Sequence, residues 1–127
     1  MQKPRPISPH LQIYKVQLTS LLSILHRICG AFLALGAGVF TYVLWSIAEG
    51  PAAFDVVCHF ATWSFVQVIL AAFLFAYLYH FLNGIRHLSW DFGMGYNLKT
   101  VYLTGTLTVV LSLTFSCIFW VFVTGGR

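Results

Sequence analysis

Three long stretches without a charged residue, Ile28–Ala48, Phe60–Ile85 and Val101–Val123, constrain this chain more than any other feature. A bilayer core of about 30 Å is crossed by about 20 apolar residues in a helix, and each stretch is long enough. In lipid each must satisfy its own backbone polar groups, which a helix does and a loop does not. Composition excludes the soluble alternative: 59% of the residues are hydrophobic and only 8% charged, against roughly 25% charged in an ordinary soluble domain. Mean hydropathy is +0.83. The expectation is an all-α membrane protein with an N-terminal interfacial arm over residues 1–19. A three-helix transmembrane domain then fills residues 20–127, with spans near 28–48, 60–88 and 101–123.

Breakers fall between the runs: Glu49-Gly50-Pro51 after the first, and Asp91 to Asn97 after the second. Ser20 is the expected N-cap of the first helix. Pro4, Pro6 and Pro9 suit an extended arm, and this basic stretch has no apolar run of the kind a signal peptide needs. Lys3, Arg5, Lys15 and Arg27 precede the first run, Arg86 and Lys99 flank the second connection, and Arg127 alone lies on the opposite side. Six basic residues against one predict an inner, cytoplasmic or matrix, N-terminus. Trp45, Trp63 and Trp120 at the outer ends, with Trp90, Tyr96 and Tyr102 at the inner ends, agree with that. The net charge of +4 is not gathered into a basic stripe, so membrane lipid and not nucleic acid is the expected surroundings. Cys29, Cys58 and Cys117 form no CxxC pair and read as small apolar residues.

Polar residues inside spans carry the functional signal, because each must offset its desolvation. His80 lies about ten residues from the inner end of its helix, roughly 15 Å deep. It is either interhelical glue or an axial haem ligand. His87, two turns further on, shares its face. It is either an interfacial residue or a contact for haem propionates, whereas Arg86 reads chiefly as an interfacial, snorkelling cation. Gly84, between the histidines, removes a side chain and leaves room for a flat macrocycle. On the first helix, Ser23, His26 and Arg27 lie on one side at the inner end. That side continues into Gly30, Ala34 and Gly38, which predicts close approach by another helix. A hydroxyl one turn from a guanidinium suits a carbonyl or carboxylate. Thr104, Thr108, Ser112 and Ser116 recur every four residues and read as packing glue. Phosphate-loop, dinucleotide-binding and zinc-protease motifs are absent. His59 lies too near the outer edge to face His80, so bis-histidine ligation would need a second histidine from another chain.

Three segments together resemble the succinate dehydrogenase cytochrome b subunit family: Arg5-Pro6-x-Ser8-Pro9-His10-Leu11-x-Ile13-Tyr14, Ser23-Ile24-x-His26-Arg27-x-x-Gly30, and His80-x-x-x-Gly84-Ile85-Arg86-His87-Leu88-x-Trp90-Asp91. The resemblance implies an anchor packing with a second anchor subunit around haem b, in a complex with a flavoprotein and an iron–sulfur subunit. It implies His80 as one haem-iron ligand, with the second from the other anchor chain. It places Ser23 and Arg27 at a ubiquinone pocket and His26, Arg27 and His87 near the propionates. Electrons would pass from the iron–sulfur subunit to ubiquinone, so the chain is a subunit of an oxidoreductase and not a catalyst alone. The membrane would be the bacterial or mitochondrial inner membrane. Two alternatives stay open, an anchor of a quinol-oxidising fumarate reductase and a haem-free scaffold in which His80 is glue.

Overall fold

The computed structural model describes residues 15–125. Four helices follow in order: α1 (Leu18–Glu49), α2 (Pro51–Ala61), α3 (Ser64–Asp91) and α4 (Leu98–Gly125). α1, α3 and α4 are long and apolar enough to cross a membrane. At 1.5 Å per residue they extend about 42–48 Å, so each overruns a hydrocarbon core of about 30 Å. They run up, down and up. The end where α1 begins, α3 stops and α4 begins is the proximal end, and the other is the distal end.

Two boundaries differ from expectation. α1 starts at Leu18 with Gln17 in the capping position, and no side chain caps it. Ser20 therefore lies within the first turn instead of capping it, because apolar Leu18 already packs against the buried cluster around Leu22. The distal connection is a helix and not a loop. Pro51 sits in the first turn of α2, where its missing N–H costs nothing. Phe60 and Ala61 end that helix and do not open the second span. The chain breaks at Thr62, whose hydroxyl donates to the His59 carbonyl at 2.7 Å. An uncharged run does not reveal such a break, because Thr62 and Trp63 are as compatible with lipid edges as their neighbours. The Arg5–Tyr14 motif of the arm lies outside the described residues.

The proximal connection is a tight turn. Gly93 and Gly95 take positive φ values of 77° and 83°, where a Cβ would be strained. The Tyr96 hydroxyl donates to the Trp90 carbonyl at 2.6 Å, and Asn97 Oδ1 accepts from the Lys99 amide at 3.1 Å.

The interior of the bundle is more polar than apolar. Leu22, Cys29, Ala76 and Tyr79 are buried together with Ser46, Asn83, Arg86, Thr108, Ser112 and Ser116. Large apolar side chains such as Leu35, Phe65 and Phe122 point outward instead. The four-residue stripe on α4 performs its expected packing role. Thr108, Ser112 and Ser116 face inward, each hydroxyl satisfied by the carbonyl four residues earlier. Of the expected Gly30–Ala34–Gly38 line, Gly30 alone meets α3, and the rest of the α1 seam lies elsewhere. It runs through Leu22, Cys29 and Gly36, seven residues apart, and a Cβ at Gly36 would run into the Phe73 ring. Phe32 stacks on Phe73 beside it, with centroids 4.0 Å apart. Ala34 is exposed, and nothing lies within 4 Å of a Cβ at Gly38. The helix-packing period along an antiparallel pair is nearer 3.5 than 4.0, so a strict four-residue ladder drifts off the contact line.

Candidate functional site

Three imidazoles meet where the start of α1 passes the end of α3. The His26 ring lies flat on the His80 ring, with centroids 3.9 Å apart and planes within 3°. The His87 ring is 5.1 Å from that of His26, inclined by 22°. His80 and His87 thus both project toward α1, as their spacing predicts. The backbone fixes their tautomers. His80 Nδ1 is 3.1 Å from the His26 carbonyl oxygen, and His87 Nδ1 is 2.8 Å from the Asn83 carbonyl oxygen. A carbonyl only accepts, so both Nδ1 atoms carry a proton, and in the neutral ring the lone pair is then on Nε2. A neutral imidazole held in this way is the state in which histidine ligates a metal, and the bond at its other nitrogen is the usual orienting contact.

Gly30 makes the approach of His80 to α1 possible, since a Cβ there would lie 2.9 Å from His80 Cε1. Gly84 leaves open space one turn from His80, with nothing within 4 Å of a Cβ position. His26 Nδ1 and Asn83 Nδ2 are buried and, among the described residues, have no hydrogen-bond partner. A histidine anchored at Nδ1, an open flank beside it and an unpaired imidazole nitrogen are groups that would suit a haem and its polar edge. No group of three or more His, Cys, Asp or Glu side chains that could hold a metal ion alone occurs among the described residues.

Ser23 and Arg27 are brought to the same end but not into the imidazole stack. Ser23 is half-buried and Arg27 exposed, and among the described residues neither side chain makes a hydrogen bond to its neighbours. With Ala34 and Gly38 they form a side of α1 that α3 and α4 leave free. His59 is exposed in α2 at the distal end, its ring edge-on to Phe60 and Trp63.

Arg86 overturns its reading as a snorkelling cation. It is only 7% exposed. Its Nε donates to Thr104 Oγ1 at 3.1 Å, and its two terminal nitrogens to Asn83 Oδ1 at 3.3 Å and the Val101 carbonyl at 3.0 Å. The Trp90 ring covers one face of the guanidinium, 4.2 Å away. Tyr79 and Asn83, which sequence reasoning passed over, complete this junction. Both are fully buried, and the Tyr79 hydroxyl donates to the Leu22 carbonyl at 2.8 Å. The signal that could have found them is their spacing: 79, 83 and 86 form one helix face next to that of 80 and 87.

Three membrane-length helices enclosing a polar interior, with histidines facing each other across two of them, define an integral membrane subunit built around a polar site. The chain matches the profile of the succinate dehydrogenase/fumarate reductase transmembrane subunit over residues 1–119. It is 41% identical over 117 residues to the succinate dehydrogenase cytochrome b556 subunit of Rickettsia felis, covering 92% of this chain and 91% of that one. It is 38% identical over 122 residues to the cytochrome b560 subunit of Reclinomonas americana, covering 92% and 85%. To the mitochondrial b560 subunit of Mus musculus it is 38% identical over 114 residues, covering 86% and 66%. The chain belongs to the succinate dehydrogenase/fumarate reductase transmembrane subunit family.

Proposed function

We propose that this chain is a membrane anchor of succinate dehydrogenase, respiratory complex II, whose residues would help hold haem b and form part of a ubiquinone pocket. The observation that carries this reading is the His80 imidazole, anchored at Nδ1 on the His26 carbonyl, with no hydrogen bond at Nε2 among the described residues. Family membership and relatives named as succinate dehydrogenase cytochrome b subunits support it. His80 is the iron ligand contributed by this chain, and the second ligand comes from the other anchor subunit. His26, Arg27 and His87, on the proximal side of His80, meet the propionates. A flavoprotein and an iron–sulfur subunit complete the complex and deliver electrons derived from succinate.

The residues of this chain position and stabilise, while bound haem b supplies a one-electron carrier beside the quinone. The Ser23 hydroxyl donates to a ubiquinone carbonyl oxygen. Arg27, one turn on, offers a fixed fork of N–H donors and a charge that favours electron density gathering on that oxygen. Ser23 lies only about 8 Å along α1 from its first residue, close enough to the aqueous side for protons to arrive there. The N-terminus lies on the cytoplasmic or matrix face of a bacterial or mitochondrial inner membrane, a reading that the distribution of Lys and Arg supports.

The decisive measurement is the reduced-minus-oxidised optical spectrum of the complex purified in mild detergent. His80→Leu abolishes or strongly perturbs the b-type band, and His59→Leu leaves it intact. An unchanged band in His80→Leu would show that the bond to His26 is only interhelical glue, as in a haem-free scaffold. Comparing succinate oxidation with quinol-driven fumarate reduction in the same preparation distinguishes the dehydrogenase from a reductase anchor.

A further inference from the structure

A cavity of about 280 Å³ opens between α3 and α4 at the proximal end, and no residue of the histidine cluster or of the Ser23–Arg27 side lines it. We propose that it binds the phosphate of an anionic membrane lipid, with Arg86 as the counter-charge. The reason is an unbalanced ion. Arg86 is more than nine-tenths buried, and its three recorded hydrogen-bond acceptors, a hydroxyl, an amide oxygen and a carbonyl, are all neutral. A guanidinium has five N–H donors, so two remain. A buried cation without a paired anion is strongly unfavourable in a span.

This chain offers no anion for it. Its only carboxylate side chains are Glu49, Asp55 and Asp91. Glu49 and Asp55 sit at the distal end, and Asp91 is exposed at the α3 terminus and does not line the cavity. The shape of the cavity selects the class of anion. Ser89 and Thr104 line the cavity with Arg86, Thr104 bonded to its Nε, and Leu82, Ile85 and Met94 form an apolar lip, the last two 47% and 58% exposed. Trp90 marks the level at which indoles collect in a bilayer interface. A charged headgroup beside Arg86 with acyl chains descending along Ile85 matches this polar-over-apolar order. Basic pockets between helix ends are sites of this kind.

The test uses the assembled complex stripped of lipid in mild detergent and analysed by native mass spectrometry. Phosphatidylglycerol, phosphatidylcholine and inorganic phosphate are added separately. The wild type should retain phosphatidylglycerol at least tenfold better than phosphatidylcholine, and inorganic phosphate should not displace it at equal concentration. Arg86→Gln should lose that preference and Arg86→Lys should keep part of it. Ser89→Trp fills the cavity while leaving the three Arg86 bonds in place, and it too should lose the preference. If Arg86→Gln does not assemble, Ser89→Trp decides. A wild-type complex without preference for phosphatidylglycerol overturns the proposal and points to a partner subunit's carboxylate. Retention of the preference in Ser89→Trp overturns it equally, and displacement by inorganic phosphate would make free phosphate the ligand.

Discussion

Ser23 and Arg27 sit one turn apart on a side of α1 that its own bundle leaves free, the former half-buried and the latter exposed. Ser23→Ala removes a hydroxyl with almost no change of packing. The hydrogen bond lost is worth about 0.5–1.5 kcal/mol, roughly a two- to tenfold effect. Quinone reduction should fall by that factor while haem content and assembly stay at wild-type levels and dye reduction by the flavoprotein persists. A wild-type rate with unaltered quinone affinity would make Ser23 a packing residue and move the pocket elsewhere. Arg27→Leu should lower both quinone reduction and haem content, since the proposed function gives the guanidinium a part at both edges of the site. Arg86 teaches the opposite lesson about cations. Two arginines at the same end of the bundle look alike in sequence, yet one is exposed and the other carries the α3–α4 junction. What separates them is which face meets another helix.

At the scale of elements, the seam between α1 and α3 is set by Gly36 and not by Gly38. Gly36→Ala drives a methyl group into the Phe73 ring and should destabilise the chain by about 1–3 kcal/mol, measured by unfolding in mixed micelles. At Gly38 a Cβ meets nothing within 4 Å among the described residues, so Gly38→Leu should leave the stability of the chain unchanged. Because that side faces outward with Ser23, Arg27 and Ala34, the same substitution should reduce co-purification of the second anchor subunit. Normal recovery of that subunit would show that it docks on another face. The α2 helix offers a native topology probe, since Cys58 is exposed there while Cys29 is buried. With Cys29 and Cys117 replaced by serine, an impermeant maleimide should label Cys58 only from the outer side. Labelling confined to the inner side would invert the bundle, and with it the placement of both polar clusters.

The molecule as a whole inverts the polarity of a soluble domain. Its interior is polar and its exterior apolar, and among the described residues His80 is anchored through Nδ1 two turns deeper in α3 than His87. Expressed without the second anchor, the chain should reach the membrane but give no low-spin b-type spectrum, and co-expression of that subunit should restore it. A normal spectrum from the chain alone would require both axial ligands from one subunit. The three spans, the class of fold and the facing of His80 and His87 were legible in the amino-acid sequence. Length and freedom from charge decide what can sit in lipid, and a helix brings every seventh residue to the same face. Local turn chemistry was only partly legible: Pro51 announced a break, but the helix it starts and the stop at Thr62 were hidden in a uniformly apolar run. The pairing of His26 with His80, the role of Gly30 in admitting that ring, the seam through Gly36 and the burial of Arg86 came from tertiary structure alone. Lipid-exposed helices are apolar nearly all round, so their sequences carry little record of which face packs. That choice is made by the rotation and register at which neighbouring helices fit small residues against large ones and leave buried polar groups bonded.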